Sequence, residues 1–382
     1  MAKNTTVRER MMGVYRNQVP DRSPVAIYAR YLPRGSSERL VRNLGLGIID
    51  YYPVVSMLAP PWHTHSGYLS EVQGADLNVA FTWENGRAVE IRTYNTPLGS
   101  LTQRTRKDPA YASDWIEKFY ISSLEDYKIM QYLVENTIFR SNSKEFQTRQ
   151  QDLAEDGVLL ARVDRSPFQK LLIELAGPER FLMDLQTEPE PVLGLLGALY
   201  RRMDEVFAMV CESEAEVIWQ PDNISCDMTP PTLFKRFCMP YYTKHAVRLH
   251  GHDKVFLVHM DGRLRAIKEM IAQCPIDGVE SFSLPEIGGD LTLAEARAAW
   301  PGKLVLPNFP SSLATQDERT ITAFLEELLG NLGSYSPFML QVSEDIPPET
   351  WQHLLPLICK QFGGEPDTSW PTIPNPPATA VE

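Results

Sequence analysis

The sequence predicts an α/β protein, a (β/α)8 TIM barrel carrying a small antiparallel β insertion in its N-terminal third. Three observations carry this. Short apolar runs with β character alternate with segments whose apolar residues recur at helical spacing, giving about eight β-then-α units. From about residue 68 to 105 the period changes: Val79–Trp83 and Arg87–Thr93 alternate around Glu84-Asn85-Gly86, and Asn-Gly supplies the positive φ angles of a tight hairpin turn. Neither a Gly-x-Gly-x-x-Gly after an early strand nor a Walker motif is present, so a nucleotide reading of the alternative architecture, an open doubly wound sheet, has no motif to rest on.

The elements follow in order. Residues 6–18 form an amphipathic helix that ends at Pro20-Asp21. Pro24–Tyr28 is the first strand, Ser37–Asn43 a helix, and Gly47–Tyr52 the second strand. The Pro-rich loop Ala59-Pro-Pro-Trp62-His63-Thr-His65 holds two histidines two apart, either a ligand pair or a surface or pocket-lining feature. After the hairpin, Thr96-Pro-Leu-Gly99 starts another extended piece. Ser123-x-x-Asp126 has the form of a capping box opening a helix to about Glu135. Val158–Val163 is the next strand, and Ser166-Pro167-Phe168 opens the helix after it. A long helix over Glu190–Cys211 places Leu193, Leu196 and Met203 on its apolar side. Strands Val217–Gln220, Val255–Val258, Gly278–Glu280, Leu304–Leu306 and Phe338–Gln341 follow, with helices near 229–249, 262–273, 317–329 and 348–361. Residues 1–363 read as a single barrel domain. The 364–382 tail, with Pro366, Pro371, Pro374, Pro376 and Pro377, is expected to be disordered or an extended arm.

At 382 residues the chain buries a large core, and 43% apolar with 23% charged residues is ordinary for a soluble protein. A formal charge of −12 with no basic face argues against nucleic acid, since neutralising phosphates requires one. The five cysteines are scattered without a Cys-x-x-Cys pair, which excludes a disulfide framework and a thiolate zinc cluster and fits a reducing cytoplasm. The charged N-terminus lacks an apolar signal core, and no run reaches the length of a membrane span. The expected location is cytoplasmic.

In a barrel, functional residues gather where strands end and loops begin. The central stretch is Val255-Phe-Leu-Val-His259-Met-Asp261-Gly262, which puts an imidazole and a carboxylate at one strand end. Two residues apart, they can grip a metal together, and the plain alternative is a histidine satisfied by a loop carbonyl. The other strand ends give Asp222, Glu280, Asn308, Glu344 and Asp345. One histidine with several carboxylates suits a hard-to-borderline metal such as zinc, while each carboxylate singly reads as a loop cap or an ion-pair partner. Asp222 stands between substrate contact and structural cap. Tyr51, Tyr52, Trp62, Trp219 and Phe282, at or after strand ends, suit stacking on a planar substrate or ordinary packing. His250 and His252 read as surface residues.

The segment Asp222–Pro310, with Ser166-Pro-Phe-Gln-Lys-Leu-Leu-Ile-Glu-Leu-Ala-Gly177 and Thr96-Pro-Leu-Gly99, resembles the uroporphyrinogen decarboxylase superfamily, and the likeness extends to about residue 362. Ala29-Arg-Tyr-Leu-Pro33 echoes part of the decarboxylase N-terminal motif, but the full arginine-rich form is missing. Val258-His-Met-Asp-Gly262 is closer to the corrinoid-dependent methyltransferase branch, where a His-x-Cys-Gly and a later cysteine bind zinc. Here Asp261 replaces the first cysteine. Val342-Ser-Glu344-Asp-Ile-Pro347 matches the later motif with Glu344 at the cysteine position, and Glu280 is the match for the glutamate between them.

The resemblance implies a zinc site of His259, Asp261, Glu280 and Glu344, which would also be the catalytic residues. The positions at or after strand ends, and the histidine pair of the Pro-rich loop, make Tyr51, Trp62, His65, Trp219, Asp222, Phe282 and Asn308 the expected substrate contacts. Exchanging thiolates for carboxylates hardens the site and suits oxygen rather than a thiol. The implied activity is a zinc-dependent methyltransferase, the component of an O-demethylase system that takes methyl from an O-methyl substrate, expected to be an aryl methyl ether. The implied methyl acceptor is Co(I) of cobalamin on a separate corrinoid protein, and a homodimer is the family expectation. Three alternatives stay open: loss of both cysteines leaving other, metal-free chemistry, a decarboxylase acting on a tetrapyrrole, or a catalytically silent barrel that docks a corrinoid protein.

Overall fold

The computed structural model describes residues 5–60, 68–107, 114–330, 332 and 337–364. Eight parallel strands form one sheet: β1 Val25–Tyr28, β2 Gly47–Pro53, β3 Gly157–Arg162, β4 Val217–Gln220, β5 Val255–His259, β6 Gly278–Phe282, β7 Leu304–Pro307 and β8 Leu340–Val342. Each strand from β1 to β6 pairs with the next, and β1 pairs with β8, Val25 opposite Leu340. An isolated bridge between Asn308 and Gln341 closes β7 onto β8, with the Phe309 N–H donating to the Gln341 carbonyl at 2.7 Å. The result is a TIM barrel, as the alternation predicts. β1, β3, β4, β6, β7 and β8 are buried at every residue, because helices cover the outside while side chains fill the inside. β3 can start close against β2 only because residue 157 is glycine: a Cβ there would lie 2.0 Å from the Ile48 carbonyl oxygen.

Local signals set the helices. Thr6 and Glu9 cap the helix Val7–Tyr15 reciprocally, each side chain accepting from the other's backbone N–H. At the predicted second box the Ser123 N–H donates to Asp126 at 2.8 Å, and the helix runs Leu124–Glu135. The long helix is Pro189–Cys211, with proline at its first position and Leu196 and Met203 buried. Leu193 is 36% exposed and lies outside the apolar stripe; Val192, Leu195, Leu199 and Val206 complete that stripe instead. The expected helix at 262–273 is shorter, a 3-10 turn at Arg265–Ile267 leading into Lys268–Gln273. β8 begins at Leu340, two residues later than predicted.

The insertion between β2 and β3 is larger than its hairpin indicates. Asp76–Glu84, Arg87–Thr96, Gly99–Lys107 and Asp114–Lys118 form a four-stranded antiparallel meander. Tyr94 and Leu101 join the same buried cluster as the barrel core, which runs from Met11 to Phe362. The Gln103 amide donates to the Glu174 carbonyl at 2.8 Å, tying the meander to the barrel. Trp62, His63, His65 and the tail from residue 365 lie outside the described residues. Among the described residues no helix is long and apolar enough to cross a membrane, and all five cysteines are free.

Candidate active site

A cavity of about 450 Å³ opens at the carboxyl ends of the strands, within the size range of small-molecule sites. Tyr28, Tyr51 and Trp219 wall it from β1, β2 and β4, and His259, Asp261 and Glu344 enter from the β5 and β8 ends. The Tyr51 and Trp219 rings lie 4.9 Å apart, tilted by 31°, and Tyr28 meets both edge-on at 6.0 and 6.2 Å.

His259, the last residue of β5, stands between two carboxylates. Its Nδ1 lies 2.6 Å from Glu280 Oε2, and its Nε2 lies 3.3 Å from Asp261 Oδ2. Gly262 lets the loop carrying Asp261 pack against the loop after β4, since a Cβ there would come 2.3 Å from the Ser225 Cβ. Burial alone would push the imidazolium pKa down. Asp261 and Glu280 outweigh burial and raise it to about 10, so at neutral pH both ring N–H groups donate. Burial likewise opposes ionisation of Asp261, and the adjacent imidazolium still holds that carboxyl below its ordinary range.

Glu280 is fully buried and does not itself line the cavity. Oε1 accepts from the Tyr28 hydroxyl at 2.7 Å, and Oε2 accepts from Trp219 Nε1 at 2.8 Å and from His259. It orients the imidazole from behind, as outer carboxylates do for ligating histidines. Ser281 has a φ of +55° where the β6–β7 register shifts between Val279 and Phe282. A serine held in that conformation is strained, and it sits next to Glu280.

Asp261 is oriented in turn. Asn223 Nδ2 donates to Asp261 Oδ2 at 2.9 Å, while Asn223 Oδ1 accepts from Arg165 Nη1 at 2.9 Å. Arg165 Nε donates to Glu174 at 2.8 Å, and Lys170 bonds both Glu174 and Asp164. A π-helical turn at Leu171–Leu175 carries Glu174. This buried chain of charges ends on the oxygen that faces His259.

Three expected substrate contacts do not line the cavity. Asp222 is fully buried and accepts from the Ser166 N–H at 2.8 Å, Gln220 Nε2 at 3.0 Å and the Tyr242 hydroxyl at 2.5 Å, so it is a structural cap. Burial raises its pKa against those hydrogen bonds. Asn308 is buried at the β7–β8 closure, its Oδ1 accepting from the Ser343 N–H at 3.0 Å. Phe282 packs edge-on against Trp300 in the core. Tyr51 and Trp219 are cavity residues; Trp62 and His65 fall outside the described residues.

The four-residue zinc set does not fit this arrangement. His259 and Asp261 offer two donors together, Glu280 is committed to three hydrogen-bond donors, and Glu344 accepts from the Ser311 hydroxyl at 2.9 Å. Among the described residues no three His, Cys, Asp or Glu side chains come together in a way that holds a metal ion. Sequence reasoning missed Tyr28, Arg162, Arg165 and Asn223. The signals were present for two: Arg162 is a lone arginine in the apolar run Val158–Val163, and Asn223 follows the strand-end Asp222.

A solved structure of a methyltransferase from Methanosarcina mazei matches 94% of this chain and 99% of its own at a TM-score of 0.55 and 12% identity, a likeness of fold. Two structures of the pneumococcal virulence factor StrH match 92% of this chain and 84% of theirs at 9% identity, with TM-scores of 0.34 and 0.33, too low to carry an argument. No curated protein matches the chain. The uroporphyrinogen decarboxylase (URO-D) family model matches residues 155–352, which carry β3 through β8 and hence His259, Asp261 and Glu280. With just over half of its length matched by that model, the chain belongs to the uroporphyrinogen decarboxylase family.

Proposed function

We propose that this protein is a methyltransferase that removes methyl from an O-methyl substrate, an aryl methyl ether by preference, and delivers it to an external nucleophile. The observation that carries this reading is His259, held charged between Glu280 and Asp261 at the wall of an aromatic cavity. Breaking a methyl ether leaves an electron pair on oxygen, and that oxygen needs an acid. As the methyl carbon passes to the nucleophile, the O–CH3 bond breaks and the Nε2 proton of His259 goes to the oxygen, leaving a hydroxyl product and a neutral imidazole. With Asp261 and Glu280 holding its pKa above the ordinary range, His259 carries the Nε2 proton at neutral pH and can serve as the general acid for the departing oxygen. Asp261 and Glu280 keep the imidazolium charged and aimed, and Tyr51 and Trp219 offer ring faces to a planar substrate. The Methanosarcina mazei methyltransferase of like fold supports the class.

The methyl acceptor in this proposal is cobalamin on a separate corrinoid protein, as the family resemblance implies. Incubating the protein with reduced cobalamin and methoxylated aromatics tests it. The expected result is methylcobalamin formation that falls by about 10²–10⁴-fold in His259→Ala; wild-type turnover that survives this substitution would overturn the reading. Zinc is proposed from the resemblance alone, and no step above uses it. Metal content of wild type and His259→Ala, measured side by side, decides its part. About one zinc per chain, lost in the variant, would make His259 a ligand in place of the acid, with zinc supplying the Lewis acidity; none in either leaves His259 as the acid.

A second reading, decarboxylation, is favoured by the guanidiniums of Arg30, Arg162 and Arg165 on the cavity wall. It predicts CO2 release from acids that carry no methoxy group.

A further inference from the structure

We infer that Ser281 and Ser343 form a hydroxyl subsite on the cavity wall, and that the substrate ring carries a second oxygen substituent that accepts a hydrogen bond there. This deepens the methyltransferase reading by naming a feature of the substrate of the same cavity, and it rests on that reading only for the methoxy group.

A regular strand sends alternate side chains to opposite faces. β6 sends two in succession toward the site: Glu280 reaches His259, and Ser281 lines the cavity. The register shift between Val279 and Phe282, with Ser281 at a φ of +55°, permits this. Such strain persists where the surroundings over-determine it, and bulges beside active sites re-aim a side chain. Here the surroundings are two buried amides. Gln341 Oε1, on β8, accepts from the Ser281 N–H at 3.2 Å, and Asn308 Oδ1, just past β7, accepts from the Ser343 N–H at 3.0 Å. They hold the two serines face to face, Oγ to Oγ at 2.6 Å, where both line the cavity at 2% and 5% exposure.

The pair is a donor. Two hydroxyls carry two protons, and the bond between them uses one. Among the described residues the other O–H meets no acceptor. Both amide oxygens are taken by the serine N–H groups, Gln341 turns its nitrogen toward the Tyr15 hydroxyl, and Asn308 Nδ2 is a buried donor with no partner among the described residues. This corner of the site therefore has donors in excess and lacks an acceptor, and an unmatched buried donor costs more than its hydrogen bond contributes. An oxygen on the substrate supplies the acceptor by taking the free serine proton. Asn308 is then a positioning residue that acts through Ser343. A methyl group at the same place would leave that O–H unpaired, which is how a buried hydroxyl discriminates between substrates.

Calorimetry on the full chain tests the inference with the three methoxyphenol isomers and the three methylanisoles, in which methyl replaces hydroxyl at nearly equal size. In at least one matched pair the phenol should bind wild type at least about tenfold more tightly. Ser281→Gly combined with Ser343→Ala removes both hydroxyls, with glycine at ease at the positive φ, and should bring that pair to within about threefold. Ser343→Ala alone leaves the Ser281 hydroxyl free to turn to the ligand and should keep part of the preference. Equal affinities in every wild-type pair, as when water serves the serines equally well, overturn the inference without any variant. So does failure of all six compounds to bind, or a preference that survives whole in the double variant. Binding and turnover separate the two claims. A serine-dependent phenol preference without methyl release keeps the subsite and sinks the methyl-transfer reading, and methyl release with equal affinities does the reverse.

Discussion

Asp222 and Asp261 occupy the same place on neighbouring strands, each two residues past the end of its strand, yet they have opposite fates. Asp222 is sealed from solvent among Ser166, Gln220 and Tyr242, and burial raises its pKa. Asp261 keeps 29% of its side chain exposed toward the cavity, and the imidazolium beside it lowers its pKa. The difference lies in the neighbours. After β4 the chain turns through Asn223, with a φ of +50°, and drops Asp222 inward onto the Ser166 N–H, which opens the helix after the neighbouring strand β3. After β5, Gly262 lets the loop approach Ser225 and holds Asp261 at the rim. A carboxylate at a strand end thus becomes a buried cap or a cavity-lining partner of a histidine according to which donors meet it.

The largest expected effect comes from treating the two alike. Asp222→Ala should cost roughly 2–4 kcal/mol of stability, since it leaves buried donors without an acceptor. Asp261→Ala should change stability far less while lowering methyl transfer at least about tenfold. Denaturant midpoints beside turnover rates read both, and equal stability losses would erase the comparison.

Next in size is the pH dependence of the Asp261 side. His259 has a folded pKa of about 10, above the ordinary value of 6.5. A raised pKa contributes stability that is complete below about 6.5 and is lost as pH rises through about 10. Melting temperatures of metal-free protein should therefore fall across that window, and His259→Gln should flatten the fall. An equal fall in the variant would assign it to other groups.

The smallest effect sharpens the link between the two loops. Asn223→Gly keeps the positive φ and removes the amide that bridges Arg165 and Asp261. One hydrogen bond corresponds to about a 3–10-fold loss in kcat with KM nearly unchanged. A KM change without a kcat change would make Asn223 a substrate contact instead.

Much of the fold was legible because its signals are local. The strand at Val255–Val258, the Asn85-Gly86 turn and the Ser123/Asp126 box depend on residues within a few positions of one another, and each is found as read. The insertion was underestimated because its last strand, Asp114–Lys118, pairs with Gly99–Lys107 through contacts that no short-range pattern announces.

For the candidate site, the sequence by itself determined that His259 and Asp261 leave one strand end together and that aromatic residues sit at neighbouring ends. Only the tertiary structure decided which side chains face the cavity. Side chains alternate along a strand, and one irregularity reverses them: the register shift at Ser281 accompanies Phe282 in the core, while Glu280 lies behind His259. Arg162 read as part of an apolar strand until its neighbours, Tyr51 from β2 and Trp219 from β4, were brought beside it across 111 and 57 residues of chain. Strand composition fixes that a residue is buried, and the closure of the barrel fixes what it is buried against.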